Sequence, residues 1–336
     1  MALIWARRSG SAGPFDEAIP QIPHTRLSLV GGFGDNAAMR QHELGKSGLR
    51  VSRVGLGCNN FGRRLDVEGT RAVVDAALAE GITFLDTAES YGDGNSERFL
   101  GEVLQGRRAE VVLATKFGWN ADQGGSRDYM RRAIAGSLER LRTDAVDLYY
   151  YHRPDGVTPI AETIEAMKEL LDERMVRAIG VSNFSIEQLD EAVKAGPVAA
   201  LQNRYNLLER DAEAGVLPRC AELGVAFIPY FPLASGLLTG KYRRGEAPPP
   251  GSRLEDRREA LSDEAFDEVE RLEEFAEARG RSLLELAIAG LASQPAVASV
   301  IAGATRPEQV RENAAAADWE LSEDELAELL GPDQRA

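Results

Sequence analysis

The chain has 336 residues, 43% of them apolar and 28% charged, which excludes a fibrous or wholly disordered protein. Its formal net charge of −15 disfavours nucleic-acid backbones and anionic membrane surfaces as partners, while leaving room for a local basic pocket that takes an anionic cofactor. Two cysteines, Cys58 and Cys220, and three scattered histidines, His24, His42 and His152, offer neither a disulfide framework nor a histidine-rich metal centre, so no metal is expected.

Residues 1–38 are rich in Gly, Ser and Pro without sustained periodicity and are expected to form a disordered extension, either a passive tail or a docking arm. Two arginines follow the first apolar stretch, the reverse of a secretory leader, and no apolar run is long enough to span a bilayer. A cytoplasmic location is the natural expectation.

From residue 39 a rhythm begins. Segments 40–44 and 50–53 flank Gly45-Lys46-Ser47-Gly48, a turn suited to a hairpin. Strands are expected at 54–57, 82–85, 111–115, 146–151, 176–181, 199–202, 225–229 and 297–301. Helices are expected at 70–80, 96–104, 129–141, 159–173, 186–195, 212–223, 283–292 and 307–316. The strands are short and apolar without alternation, as buried parallel strands are. Eight strand–helix pairs make an α/β fold, a (β/α)8 TIM barrel over 39–331 with an N-terminal β-hairpin, the leading architecture; an open doubly wound sheet is the rival. A basic, proline-rich insertion at 243–258 precedes an extra helix at 262–279, and Ser322 with Glu325 caps a last helix over 322–330.

Barrel enzymes carry their chemistry just past the C-terminal strand ends. One face would therefore gather Asp86, Tyr91, Lys116 and His152. Reducing a carbonyl builds negative charge on its oxygen, and a proton donor must meet it. A free phenol is a weak acid, an adjacent ammonium lowers its pKa, and Asp86 can pair that ammonium. His152 can donate a second hydrogen bond to the oxygen. Each residue also has a structural reading: a helix cap or salt-bridge partner for Asp86, a loop aromatic for Tyr91, a snorkelling side chain for Lys116, a core histidine for His152.

The ordered motifs DTAESYG (86–92), ATKFG (114–118), YYYHRPD (149–155), GVSNF (180–184), QNRYNLLER (202–210), PYFPLASGLLTGKY (229–242) and IAGATRPEQVREN (301–313) resemble those of the aldo-keto reductase family over nearly the whole barrel. The resemblance implies NADPH-dependent reduction of an aldehyde or ketone, with Tyr91 as general acid, Lys116 and Asp86 tuning it, and His152 positioning the small-molecule carbonyl substrate. It implies that Ser182, Asn183 and Gln202 hold the nicotinamide amide, with Cys58 and Asn59 beside it and Tyr230 stacked on the ring. Phe231, Pro232, Leu233, Ser235, Gly236 and Leu238 would wrap the pyrophosphate, with Lys241 and Arg253 near phosphate. Gly303, Thr305, Gln309 and Asn313 would meet the adenosine end, with Arg306 a candidate for the 2′-phosphate. A helix opening at Pro307 independently offers free N–H groups and a positive dipole end beside Arg306.

Phe231 stands where many family members have Ser, and Ala302 where Pro is frequent. Gly55-Leu56-Gly57 starts like a Rossmann fingerprint, but residue 60 is Asn. Two other functions remain open from sequence: a Schiff-base lyase using Lys116, and an NADPH-binding redox-sensing module with little turnover.

Overall fold

A computed structural model describes residues 39–119, 124–256 and 261–331; the extension at 1–38 and positions 257 and 258 of the insertion lie outside the described residues. A short antiparallel hairpin, β1 (Gln41–Glu43) and β2 (Arg50–Ser52), comes first. Eight parallel strands then share one sheet: β3 (Val54–Gly57), β4 (Phe84–Asp86), β5 (Val112–Phe117), β6 (Val146–Tyr151), β7 (Val176–Ser182), β8 (Val198–Gln202), β9 (Ala226–Phe227) and β10 (Val300–Gly303). Sequential neighbours pair from β3 to β9, β10 pairs with β3, and bridges Phe227–Val297 and Tyr230–Ile301 join the β9 edge to the β10 segment. The eight strands thus curl into the (β/α)8 arrangement.

The strands divide two cores. Phe84, Ala114, Leu148, Tyr150, Ala178, Ala200, Ala226, Ile228 and Ile301 fill the barrel, and Leu44, Leu49 and Val51 of the hairpin segment plug its N-terminal end. Gly180 makes room for the largest of these, since a Cβ there would lie 2.6 Å from the Tyr150 ring. Alternate strand residues face the helices α1 (Val67–Ala79), α2 (Asn95–Val103), α3 (Arg127–Leu141), α4 (Ile160–Asp172), α5 (Ile186–Ala195), α6 (Val216–Leu223), α7 (Asp263–Glu277), α8 (Leu283–Ala292), α9 (Pro307–Ala315) and α10 (Glu323–Leu330). Ser185, Ser282 and Ser322 cap α5, α8 and α10 as capping boxes, each contributing about 1 kcal/mol.

Several boundaries differ from the sequence reading. The helix expected at 212–223 is split at Gly215, whose φ of −162° and ψ of −61° are not helical, into a 3-10 turn (Asp211–Ala214) and α6; the Ile186 side chain packs there, 2.6 Å from where a Cβ would lie. The strand expected at 297–301 pairs regularly only from Val300, where it meets Val54. Pro159 caps α4 rather than entering it. Strand β5 runs two residues beyond the expected 115, so Lys116 sits on the strand rather than past its end.

Candidate active site

Strand β5 sends Thr115 outward and Lys116 inward, the alternation that any strand imposes. Lys116 is fully buried. Its ammonium donates to Asp86 Oδ1 at 2.5 Å, to the Thr87 carbonyl at 2.9 Å and to Tyr91 Oη at 3.3 Å. Gln202 on β8 donates to the other Asp86 oxygen at 2.9 Å. The structure thereby brings Asp86, Tyr91 and Lys116 together from three segments.

Burial opposes the charge on Lys116, but Asp86 and Tyr91 outweigh it and hold its pKa above the ordinary lysine value. Burial also raises the Tyr91 phenol above its usual value; Lys116 pulls the other way and Asp86 reinforces the rise. The net direction differs from the sequence expectation of a lowered phenol, because desolvation of a tyrosinate in this pocket exceeds the attraction of an ammonium already shared with Asp86. The Tyr91 phenol is therefore protonated at neutral pH.

His152 follows β6, its backbone N–H donating to the Phe117 carbonyl at 2.8 Å. Its ring stands edge-on to Tyr91 with centroids 6.0 Å apart. Burial, then the charges of Lys116 and Arg153, pull its pKa down to about 2, so the imidazole is neutral. Its Nδ1 is buried with no partner among the described residues. Buried polar atoms are rarely left so.

Beneath this group, Thr115 donates to Glu97 Oε1 at 2.5 Å and Arg140 of α3 donates to Glu97 Oε2 at 2.6 Å. This buried set locks α2 and α3 against β5 and fixes the strand that carries Lys116. Sequence reasoning missed it, because no motif marks Glu97.

A cleft of about 730 Å³ opens above these residues. Asp86, Tyr91, His152, Cys58, Asn59, Ser182, Asn183, Gln202 and Tyr230 line its inner part. Asn183, in left-handed backbone at φ 60°, donates to the His152 carbonyl at 2.9 Å and accepts from Tyr230 Oη at 2.8 Å. Ser182 donates to the Gln202 carbonyl at 2.7 Å. Phe231, Pro232, Leu233, Ser235, Gly236, Lys241, Arg253, Gly303, Thr305, Arg306, Gln309 and Asn313 line the remainder. Lys116 lies behind Asp86 and Tyr91 rather than on the wall, and Leu238 is buried beneath the loop with its side chain off the cleft.

The lining fits a dinucleotide. Phe231, Ala234 and Ser235 hold positive φ of 66°, 44° and 59°, followed by Gly236 at 92°. Such residues cost about 1–3 kcal/mol each and gather where backbone is shaped to a ligand. The φ of Gly236 is one that glycine alone adopts readily, and the Lys241 ammonium packs 2.5 Å from where a Cβ would sit there. The Phe231 ring, in place of a hydroxyl, carries the Arg204 guanidinium 4.3 Å from its centroid. At the far end Arg306 caps α9 without a side-chain capping bond and is exposed, while Thr305 donates to Gln309 through both N–H and hydroxyl. Arg253 donates to Asn60 Oδ1 at 3.1 Å, joining the insertion to the β3 loop across the cleft. Asn60, Arg64, Trp119 and Glu312 also line the cleft and were not singled out from sequence; Asn60 drew notice only as the residue that breaks a glycine pattern.

Among the described residues there is no cluster of side chains fit to hold a metal ion, and no helix is long and apolar enough to cross a membrane.

Comparison with known proteins agrees with the geometry. The profile of the Aldo/keto reductase family matches residues 53–331. The chain is 38% identical over 301 residues to a probable voltage-gated potassium channel subunit beta of Oryza sativa subsp. japonica, covering 83% of this chain and 92% of that protein. It is 36% identical over 307 residues to the aldo-keto reductase YhdN of Bacillus subtilis, covering 87% and 92%. The holo form of aldo-keto reductase AKR11C1 from Bacillus halodurans superposes with a TM-score of 0.75 at 34% identity, covering 87% of this chain and 95% of that one.

Proposed function

The chain belongs to the aldo/keto reductase family, NAD(P)H-dependent oxidoreductases acting on small carbonyl compounds, and from that premise we propose that it uses NADPH to reduce an aldehyde or ketone with Tyr91 as the proton donor. A bound reduced nicotinamide would supply the hydride to the carbonyl carbon. Tyr91 and the neutral His152 both reach the inner cleft, so the carbonyl oxygen would sit between them and accept from each. As negative charge develops on that oxygen, Tyr91 gives up its proton, and Lys116 at 3.3 Å stabilises the tyrosinate left behind. Asp86 keeps Lys116 charged and in place. In the reverse direction the tyrosinate takes the alcohol proton.

Ser182, Asn183 and Gln202 would hold the nicotinamide amide, with Cys58 and Asn59 beside it and Tyr230 beneath the ring. Gln202 can serve while still donating to Asp86, because its carbonyl oxygen stays available to an amide N–H. The 231–238 backbone, Lys241 and Arg253 would take the pyrophosphate, and Gly303, Thr305, Gln309 and Asn313 the adenosine. Arg306, an exposed guanidinium at the start of α9, would take the 2′-phosphate, which favours NADPH over NADH.

The observation that carries this reading is the protonated phenol held against a buried, carboxylate-paired ammonium at the floor of a dinucleotide-sized cleft. A panel of aldehydes and ketones assayed by loss of NADPH absorbance tests it; no consumption with any carbonyl would defeat it. A Schiff-base lyase is disfavoured, since that chemistry needs a neutral amine and Lys116 is held as a cation. A redox-sensing module is the second reading, suggested by the relative named as a channel subunit; tight NADPH binding with no turnover across the panel would select it.

A further inference from the structure

We propose that Arg153, stacked on Trp119 just outside the cleft wall that Trp119 forms, provides a carboxylate subsite, so that this enzyme's preferred carbonyl substrates carry a second, anionic end that reaches past the indole. The inference deepens the reductase reading and rests on it, because it takes the space between Tyr91 and His152 as the seat of the carbonyl oxygen.

Three rings and a cation line up there. The Trp119 indole lies 4.5 Å, centroid to centroid, from the His152 ring, and the Arg153 guanidinium carbon lies 5.1 Å from the Trp119 centroid. The turn that presents Trp119 is firmly built. Gly118, at φ 80°, donates its N–H to Glu89 at 2.9 Å, and a Cβ at 118 would come 2.9 Å from the Tyr151 ring. Trp119 nevertheless stays 43% exposed, on the wall of the cleft. An exposed indole beside the carbonyl seat is a surface for a substrate's carbon skeleton.

Arg153 is unusual in how its charge is spent. Four other half-buried arginines meet carboxylates: Arg108 reaches Asp147 at 2.7 Å, Arg140 reaches Glu97 at 2.6 Å, Arg210 reaches Glu213 at 2.8 Å and Arg279 reaches Glu328 at 2.7 Å. Arg153 meets no carboxylate within ion-pair distance among the described residues. Asp155, two positions on, has both oxygens taken by the amides of Gly125, Val157 and Thr158 and by the Thr158 hydroxyl. In a protein of net charge −15, a cation that meets no carboxylate among the described residues, one ring's width from the His152 ring, is a charge open to an anionic ligand. A single guanidinium matches one carboxylate in a bidentate pair. A dianionic phosphate would call for more positive charge than is present there.

The test uses the full chain with NADPH and two probes of nearly equal shape, 4-carboxybenzaldehyde and methyl 4-formylbenzoate. The ester is the more reactive aldehyde in solution, so a wild-type preference for the acid reports recognition. The expected kcat/KM ratio favours the acid about tenfold, in line with a charge-assisted hydrogen bond. Arg153→Met should collapse that ratio about tenfold, mainly through KM for the acid, and Arg153→Lys should restore part of it. Reading the ratio within each variant cancels any general loss of folding. A wild type that prefers the ester, or an Arg153→Met that lowers both substrates equally, would overturn the subsite and leave Arg153 as packing for Trp119. Failure of the reductase reading looks different: neither aldehyde would consume NADPH, and the subsite would fall with it.

Discussion

At the inner end of the cleft Lys116 is fully buried and saturated with partners, Asp86, Thr87 and Tyr91; at the outer end Arg306 is exposed at the start of α9 with no side-chain cap. The inner group is assembled before any ligand arrives. The outer group makes no side-chain hydrogen bond among the described residues. Proton donation gains from fixed geometry, since a donor misplaced by an ångström loses much of its effect, whereas a cofactor tail must be caught from water and released. The rigid end would set the rate and the open end the affinity.

That division can be broken by experiment. Tyr91→Phe removes the donor and should cut carbonyl reduction by about 10³-fold, while NADPH titrated by fluorescence still binds; turnover near that of the wild type would end the assignment. Lys116→Met strands Asp86 as a buried charge and should cost about 3–5 kcal/mol of stability in chemical denaturation, beyond its loss of activity. Arg306→Ala should weaken NADPH about tenfold with little effect on NADH, the value of one charge-assisted contact; equal loss for both cofactors would remove the 2′-phosphate role.

The pH profile sharpens the contrast. The proposed mechanism needs Tyr91 protonated and His152 neutral. The phenol is raised above its usual value of about 10, and His152 lies at about 2, so kcat for reduction should stay flat from pH 6 to 9. Activity should be lost only as pH rises through the Tyr91 pKa; an inflection near pH 6.5 that disappears in His152→Gln would refute a neutral imidazole. The smallest effect is expected on the insertion. Arg244 ties it to Asp263, Asp267 and Glu270 at the start of α7, on the surface. Arg244→Ala should change NADPH affinity by less than about fivefold, because exposed ion pairs contribute under about 1 kcal/mol.

The same contrast governs what could be read from sequence. Strands β4, β5 and β6 stand out as short apolar runs, so Asp86, Lys116 and His152 could be assigned to one end of a barrel from order alone. Their electrostatics could not. Whether burial or Lys116 dominates at Tyr91 depends on how completely the pocket closes, which no spacing reveals. Trp119 and Asn60 escaped notice because each earns its place by what lies across the cleft, His152 and Arg253 respectively. Gly215 was read as helical for a related reason, since its neighbour Ile186 is distant in sequence.

The plug formed by Leu44, Leu49 and Val51 closes one end of the barrel with hydrocarbon. Among the described residues the hydrophobic end offers no polar path, so a substrate or a dinucleotide would meet the Asp86–Tyr91–Lys116 group from the cleft at the other end. If Tyr91 is the proton donor, its phenol would then regain a proton from the cleft side.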